Sequence, residues 1–424
     1  MKYIYKLFLL LLILFCINLG FAQNEISSPY SGFGIGKLSS GTSVTSQSMG
    51  GISYAIQNPY FVNFKNPASY VAFDSLTFLA DASFYALFTT LRTETKTQKN
   101  NSVRPAYLAI GLPVTRHWRT SVGVLPFSDL GYTILNSKTD EHIGKISYTY
   151  KGNGGLIQLF WGNAFQLYKG LSVGINTSYL FGHLATTRIA EIEGSNYFNS
   201  AIDNSLNVNG IYLSGGVQYF FNLKEKHRIG LGAIYENSLY LSVRKNETVT
   251  IFQGRYENMI GQDIISNING KRGRMIIPQS IGAGTSYHYA NRFLIGLDAT
   301  WHQWEKFKLM NQSDSLKNSW EIKGGVQFTP NPQSNKYLKR ISIRTGVKYS
   351  TGYFIVDGKT VDEYTLAFGL GLPLKGISSN HAINILFEYG QLGSLQKNII
   401  AENFIRLSVN FILHEKWYQR VKLD

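Results

Sequence analysis

Apolar and polar residues alternate one for one along much of this chain, most clearly in its second half. Over 341–349 one face carries Ile341, Ile343, Thr345, Val347 and Tyr349, and the other Ser342, Arg344, Gly346 and Lys348. Over 320–328 Trp320, Ile322, Gly324, Val326 and Phe328 oppose Glu321, Lys323, Gly325 and Gln327. Over 405–413 Ile405, Leu407, Val409, Phe411 and Leu413 oppose Arg406, Ser408 and Asn410. Period two indicates extended strands with one face in oil and one against a polar interior. The runs exceed the ~5–6 residues usual for strands of a soluble sandwich.

The pattern predicts fourteen strands, at roughly 76–91, 102–114, 117–135, 142–168, 170–184, 206–222, 227–244, 274–290, 292–306, 317–329, 339–353, 361–374, 382–394 and 401–413. An even count suits a single-chain bacterial barrel. Short connections near Thr115, Lys169, Lys224, Ala290, Asn331 and Gly376 alternate with longer polar ones over 91–102, 184–206 and 244–274. That asymmetry is the one between periplasmic turns and outer loops. Trp118, Trp304, Trp320 and Trp417 fall near strand ends, where aromatic girdles belong.

The first residues read as a signal peptide, 1–22. Lys2 and Lys6 supply the positive start, 7–17 the apolar stretch, and Gly20-Phe21-Ala22 a small-x-small cleavage site. Cys16 follows Phe15, not the small residue a lipobox requires. No later segment has 18 consecutive apolar residues, and only a closed barrel crosses lipid without helices. The fold class is therefore all-β, a transmembrane antiparallel β-barrel of about fourteen strands in the outer membrane of a Gram-negative cell.

Composition narrows the chemistry. Of 424 residues 16% are charged and 14% aromatic, too few charges and too many rings for a disordered chain. A single Cys excludes a disulfide framework and a cysteine-based zinc cluster. The net charge of +15 suits anionic lipid headgroups and is not laid out as a nucleic-acid site. Eight histidines make no i, i+4 pair, and neither His-Glu-x-x-His nor Gly-x-Ser-x-Gly occurs. No enzyme activity, cofactor or metal is expected.

Residues 23–75 break the alternation and are rich in Gly and Ser with scattered aromatics. Fourteen strands enclose a lumen too wide for side chains alone, so this stretch is expected to be a lumenal plug ahead of a barrel over 76–424. The run Gly32-x-Gly34-x-Gly36-Lys37 lacks the spacing of a phosphate loop. The charges Glu321, Lys323, Arg344, Lys348, Glu388 and Arg406 fall on the polar faces of neighbouring strands and are assigned inward. Arg or Lys facing lipid would cost about 2–4 kcal/mol at the midplane. Their expected role is pairing with one another and with the plug.

Pro126 lies inside the third predicted strand, where a closed wall has no edge to hide a residue without an N–H. A hairpin centred near residue 139 would set Pro126 opposite Gly152, the first residue of Gly152-Asn153-Gly154-Gly155. Either this is a bulge that adjusts curvature, or Pro126, Phe127, Gly152, Gly154 and Gly155 frame a gap in the wall.

The order of signal peptide, Gly-rich plug, Asn66-Pro67-Ala68 and fourteen strands resembles the FadL family of outer-membrane hydrophobic-compound transporters. Ser28-Pro29-Tyr30-Ser31-Gly32-Phe33-Gly34-Ile35-Gly36, Ser48-Met49-Gly50-Gly51, Gly152-Asn153-Gly154-Gly155-Leu156 and the ending from Trp417 to Asp424 resemble its Bacteroidota branch, which is also similar to PorV-type barrels. The resemblance implies a lateral exit at a kink in the third strand. It implies passive uptake of a hydrophobic small molecule, with long-chain fatty acids as one candidate. The alternative is a non-transporting subunit of an outer-membrane secretion or assembly complex, whose partners are other subunits.

Overall fold

The computed structural model describes residues 28–194, 197–314, 316–356, 358–375, 380–395 and 399–416. The expected signal peptide, the start of the 23–75 segment and the ending from Trp417 to Asp424 lie outside the described residues.

Fourteen strands close into one antiparallel ring. In chain order they are β1 (Thr77–Arg92), β2 (Thr97–Pro113), β3 (Trp118–Asp140), β4 (Gly144–Tyr168), β5 (Leu171–Ile192), β6 (Asn199–Lys224) and β7 (His227–Glu236). The ring continues through β8 (Ser280–Tyr289), β9 (Phe293–His302), β10 (Ser319–Phe328), β11 (Ser342–Ser350), β12 (Glu363–Lys375), β13 (Asn380–Leu392) and β14 (Ala401–Lys416). β14 returns to β1, from Thr77 opposite Lys416 to Arg92 opposite Ala401. The alternation sets the faces. On β9, Leu294, Gly296, Asp298 and Thr300 are buried inside, while Ile295 and Leu297 are exposed outward. On β11, Arg344 is buried while Ile343 and Val347 face out.

All three expected long loops are largely strand; over 91–102 only 93–96 turn, with Arg92 opposite Thr97. The stretch expected as a loop over 184–206 continues β5 and β6, which pair as far as Ala190 opposite Ser200. The stretch expected as a loop over 244–274 belongs to a hairpin inserted between β7 and β8, with arms Leu239–Arg255 and Asn258–Ile277. The first arm pairs with the outer half of β6, from Asn209 opposite Ser242 to Asn199 opposite Phe252. The predicted strands 227–244 and 274–290 are thus each divided, and the hairpin forms a fin above the ring on the side of the outer turns. Polar residues on both faces hid it, because both sides of the fin meet water. Trp304 is also not in a girdle. It is buried inside the outer mouth, stacked on Tyr353 at 4.7 Å between centroids.

Residues 28–73 pack against the inward faces of the wall as short turns: Pro29–Gly32, the helix Val44–Gln47 and Pro67–Ala72. Asn66 caps the last of these, accepting from Ala68 N at 3.1 Å, with Pro67 opening the turn. Wall glycines supply the notches. A Cβ on Gly346 would stand 2.1 Å from Gly50 N, one on Gly325 2.1 Å from Met49 O, and one on Gly232 1.9 Å from Tyr54 O. The small residues on the polar faces therefore make room for backbone.

Candidate functional site

Neighbouring wall strands are zipped along most of their shared length, with one exception at β2 and β3. These two pair only from Leu108 opposite Val124 to Pro113 opposite Arg119. Beyond that point β2 stays on β1 and β3 stays on β4, and the two part. Pro126 stands just past the last pair, beside a register shift between Pro126 and Ser128. A proline is tolerated there because it stands at this bulge.

The parting lies on the opposite side of β3 from the one expected. β3 and β4 are paired up to Asp140 opposite Gly144, so their hairpin centres further along than residue 139. Pro126 is opposite Ile157 and not Gly152, which is opposite Tyr132. Gly152 makes room for the Tyr132 ring, since a Cβ would lie 2.3 Å from it. Gly154 has φ +116 and its missing Cβ would meet His183 O, so it serves close β4 to β5 approach. Gly155, opposite Asp129, instead serves close β3 to β4 approach, where a Cβ would meet Ser128 O. Of the five expected residues, Pro126 and Phe127 lie at the parting and the three glycines stand behind it on β4.

The inner segment covers the parting. Its two-residue strand Lys37–Leu38 runs antiparallel to β3, Lys37 opposite Asp129 and Leu38 opposite Ser128. Ser39 N donates to Phe127 O at 3.0 Å and Ser28 N to Gly131 O at 2.9 Å. Arg104 of β2 reaches across to an ion pair with Asp129 of β3.

Behind this seal is a chamber whose lining includes Leu38, Leu125, Pro126 and Phe127. Part of that lining is ionic. Lys65 pairs with Glu236 at 2.6 Å, Lys348 with Glu363 at 2.8 Å, Lys37 with Glu402 at 2.9 Å, Arg406 with Glu388 at 3.2 Å, and Lys323 with Glu321. Five cations thus meet five carboxylates, each with its own partner. The same lining includes the aromatics Phe160, Tyr212, Trp304 and Tyr353. The structure groups Glu321, Lys323, Lys348, Glu388 and Arg406 around the chamber. Arg344 lies apart, donating to Gln327 Oε1 at 2.7 Å and Asn384 Oδ1 at 2.8 Å.

Asn66, Pro67 and Ala68 serve as an anchor. Asn66 Nδ2 donates to Tyr54 O at 2.6 Å, and Asn66 fills the notch at Gly216 while Pro67 and Ala68 fill the one at Gly174. Asp298 accepts from Ser53 N at 2.6 Å and Tyr54 N at 3.0 Å. Tyr54 and Tyr70 pack as buried neutral phenols, bonded to Thr300 and Asn176, and burial pushes both pKa values up. Sequence reasoning did not single out Lys37, Lys65, Arg104, Asp129, Glu236, Glu363 or Glu402. Glu236, Glu363 and Glu402 sit at strand ends, where period two gives no face, and Lys37 and Lys65 sit where there is no period at all. Among the described residues no group of three or more His, Cys, Asp or Glu is placed to hold a metal ion.

The Pseudomonas putida toluene transporter TodX superposes with a TM-score of 0.59 at 13% identity, covering 88% of this chain and 98% of that one. The CymD monoaromatic hydrocarbon channel gives 0.55 at 14%, covering 89% and 98%. A Pseudomonas aeruginosa FadL homologue gives 0.56 at 10%, covering 89% and 98%. The shared feature at such identities is the fold. No curated protein matches the sequence. A family model described as BamG matches residues 3–424. A closed ring of fourteen strands with apolar outward faces, in this fold, makes the chain a multi-pass outer-membrane barrel.

Proposed function

The chain belongs to the BamG family, and from the parting and the chamber behind it we propose that it is a passive outer-membrane channel for hydrophobic small molecules, which leave sideways between β2 and β3. On this reading residues 1–22 are a removed signal, 23–75 a fixed plug and 76–424 the barrel. The observation that carries the proposal is that the chamber reaches the inner side of the parting. Val103 and Leu108 on β2 and Val122 and Val124 on β3 are exposed beside it, so a departing molecule meets acyl chains before water. Transfer of apolar surface into lipid, about 25 cal/mol per Å², is then the whole driving force. Two structural neighbours, a toluene transporter and a monoaromatic hydrocarbon channel, support this class of ligand. Fatty acids fit less well, because each chamber cation already holds a carboxylate.

A second reading, a subunit of an outer-membrane secretion or assembly complex, is favoured by the fin, which a channel for small molecules does not need. Likeness to both the Bacteroidota branch and PorV-type barrels fits either reading. Native mass spectrometry of the protein taken gently from its own outer membrane separates them. A monomer releasing apolar molecules supports passage; an empty barrel in a stoichiometric complex supports the subunit.

A further inference from the structure

The fin ends in a strand whose outer edge is paired only at its base. Its second arm, Asn258–Ile277, pairs along one edge with the first arm. Along the other edge only Met275 and Ile276 are paired, with Leu309 and Lys308, and Arg274 O accepts from Met310 N. From 258 to 273 that edge has no strand beside it among the described residues. Natural sheets guard such an edge with proline, lysine or inward charge, because its open N–H and C=O groups recruit further strands. The upper part, Asn-Met-Ile-Gly-Gln-Asp-Ile-Ile-Ser-Asn-Ile over 258–268, has no proline or lysine and one charge, Asp263. It also exposes Ile260 (70%), Ile264 (56%) and Ile265 (63%) to water. Three register shifts interrupt the first-arm pairing, but they do not cover the outer edge.

We propose that the edge 258–273 takes a β-strand from a different protein at the cell surface. Backbone groups supply the ladder, and side chains select the partner. The partner's segment carries apolar residues against Ile260, Ile264 and Ile265. Nearer the membrane it carries carboxylates against the exposed Lys271, Arg272 and Arg274. A second copy of this chain does not fit. Two copies in one membrane are related by an axis along its normal. A strand tilted from that axis crosses its copy instead of lying beside it. An untilted strand meets its copy with identical groups level, N–H against N–H, and no ladder forms. This inference is independent of passage through the chamber.

The test is hydrogen exchange, read by mass spectrometry, of native outer-membrane vesicles against the detergent-purified protein. The expected result is that amides within 258–273 exchange at least about tenfold more slowly in the vesicles. The protection disappears in the Ile264→Lys/Ile265→Lys variant, whose barrel keeps its heat-dependent gel mobility. If that variant fails to fold, Arg272→Glu replaces it, with partial loss of protection expected. Equal exchange in both preparations overturns the proposal. So does protection that persists in the variants, or protection that the purified protein acquires alone on concentration.

Discussion

Arg104 on β2 is ion-paired with Asp129 on β3 across the stretch where these neighbouring strands are not hydrogen-bonded. Both side chains are partly exposed, so the pair is worth about 0–1 kcal/mol to folding. Its position makes it a latch. Arg104→Ala should leave unfolding by urea nearly unchanged and raise the accumulation of labelled toluene in cells. Unchanged accumulation together with a large loss of stability would show that the pair holds the wall and not the exit.

The wall glycines make a sharper claim about the inner segment. Gly346→Ala drives a Cβ into the backbone at Gly50, whereas at Gly215 the nearest atom is 3.9 Å away. Overpacking costs about 1–3 kcal/mol. Gly346→Ala should therefore expose 28–73 to protease in a barrel that stays closed, and Gly215→Ala should not. Equal protease resistance in the two variants would contradict the packing.

Asp298 holds two backbone N–H groups of the inner segment, those of Ser53 and Tyr54. Asp298→Ala strands both in a dry site, at about 1–3 kcal/mol each. Asp298→Asn keeps one acceptor and should fall between wild type and Ala in protease resistance. Reversal of that order would mean that the carboxylate does not anchor the segment.

The chamber's ion pairs act as units. Lys348→Met leaves the half-buried Glu363 without its nearest cation and should cost about 1–3 kcal/mol. Lys348→Met/Glu363→Leu removes both charges and should recover most of it, as read by urea unfolding in lipid vesicles. A double variant as weak as the single one would show that Glu363 depends on other cations.

Much of the barrel was legible because period two survives wherever one face meets lipid. The run from Ile341 to Tyr349 set its faces correctly, and Arg344 and Gly346 turn inward as that pattern required. The same rule failed in the fin, where Leu239–Arg255 and Asn258–Ile277 have water on both sides and resemble polar loops. The kink at Pro126 was legible from proline chemistry alone. Its side was not, since register depends on where a turn closes, and three residues moved the partner from Gly152 to Ile157. The covering strand at Lys37–Leu38 joins β3 over nearly a hundred residues of chain, and two residues carry no period. Trp304 misled for a related reason: an aromatic at a strand end can turn inward as readily as toward the headgroups.

The most direct measurement locks the cover onto β3. Leu38 and Ser128 face each other, and hydrogen bonding between Ser39 and Phe127 next to them makes theirs the close, non-bonded kind of pair, suited to a disulfide. Cys16 is the sequence's single cysteine, so a Leu38→Cys/Ser128→Cys variant with Cys16→Ala carries no competing thiol. Uptake of labelled toluene is compared before and after reduction, with heat-dependent mobility confirming a folded barrel. The account predicts little uptake when the disulfide is closed and recovery when it is reduced. Equal uptake in the two states would contradict lateral passage between β2 and β3.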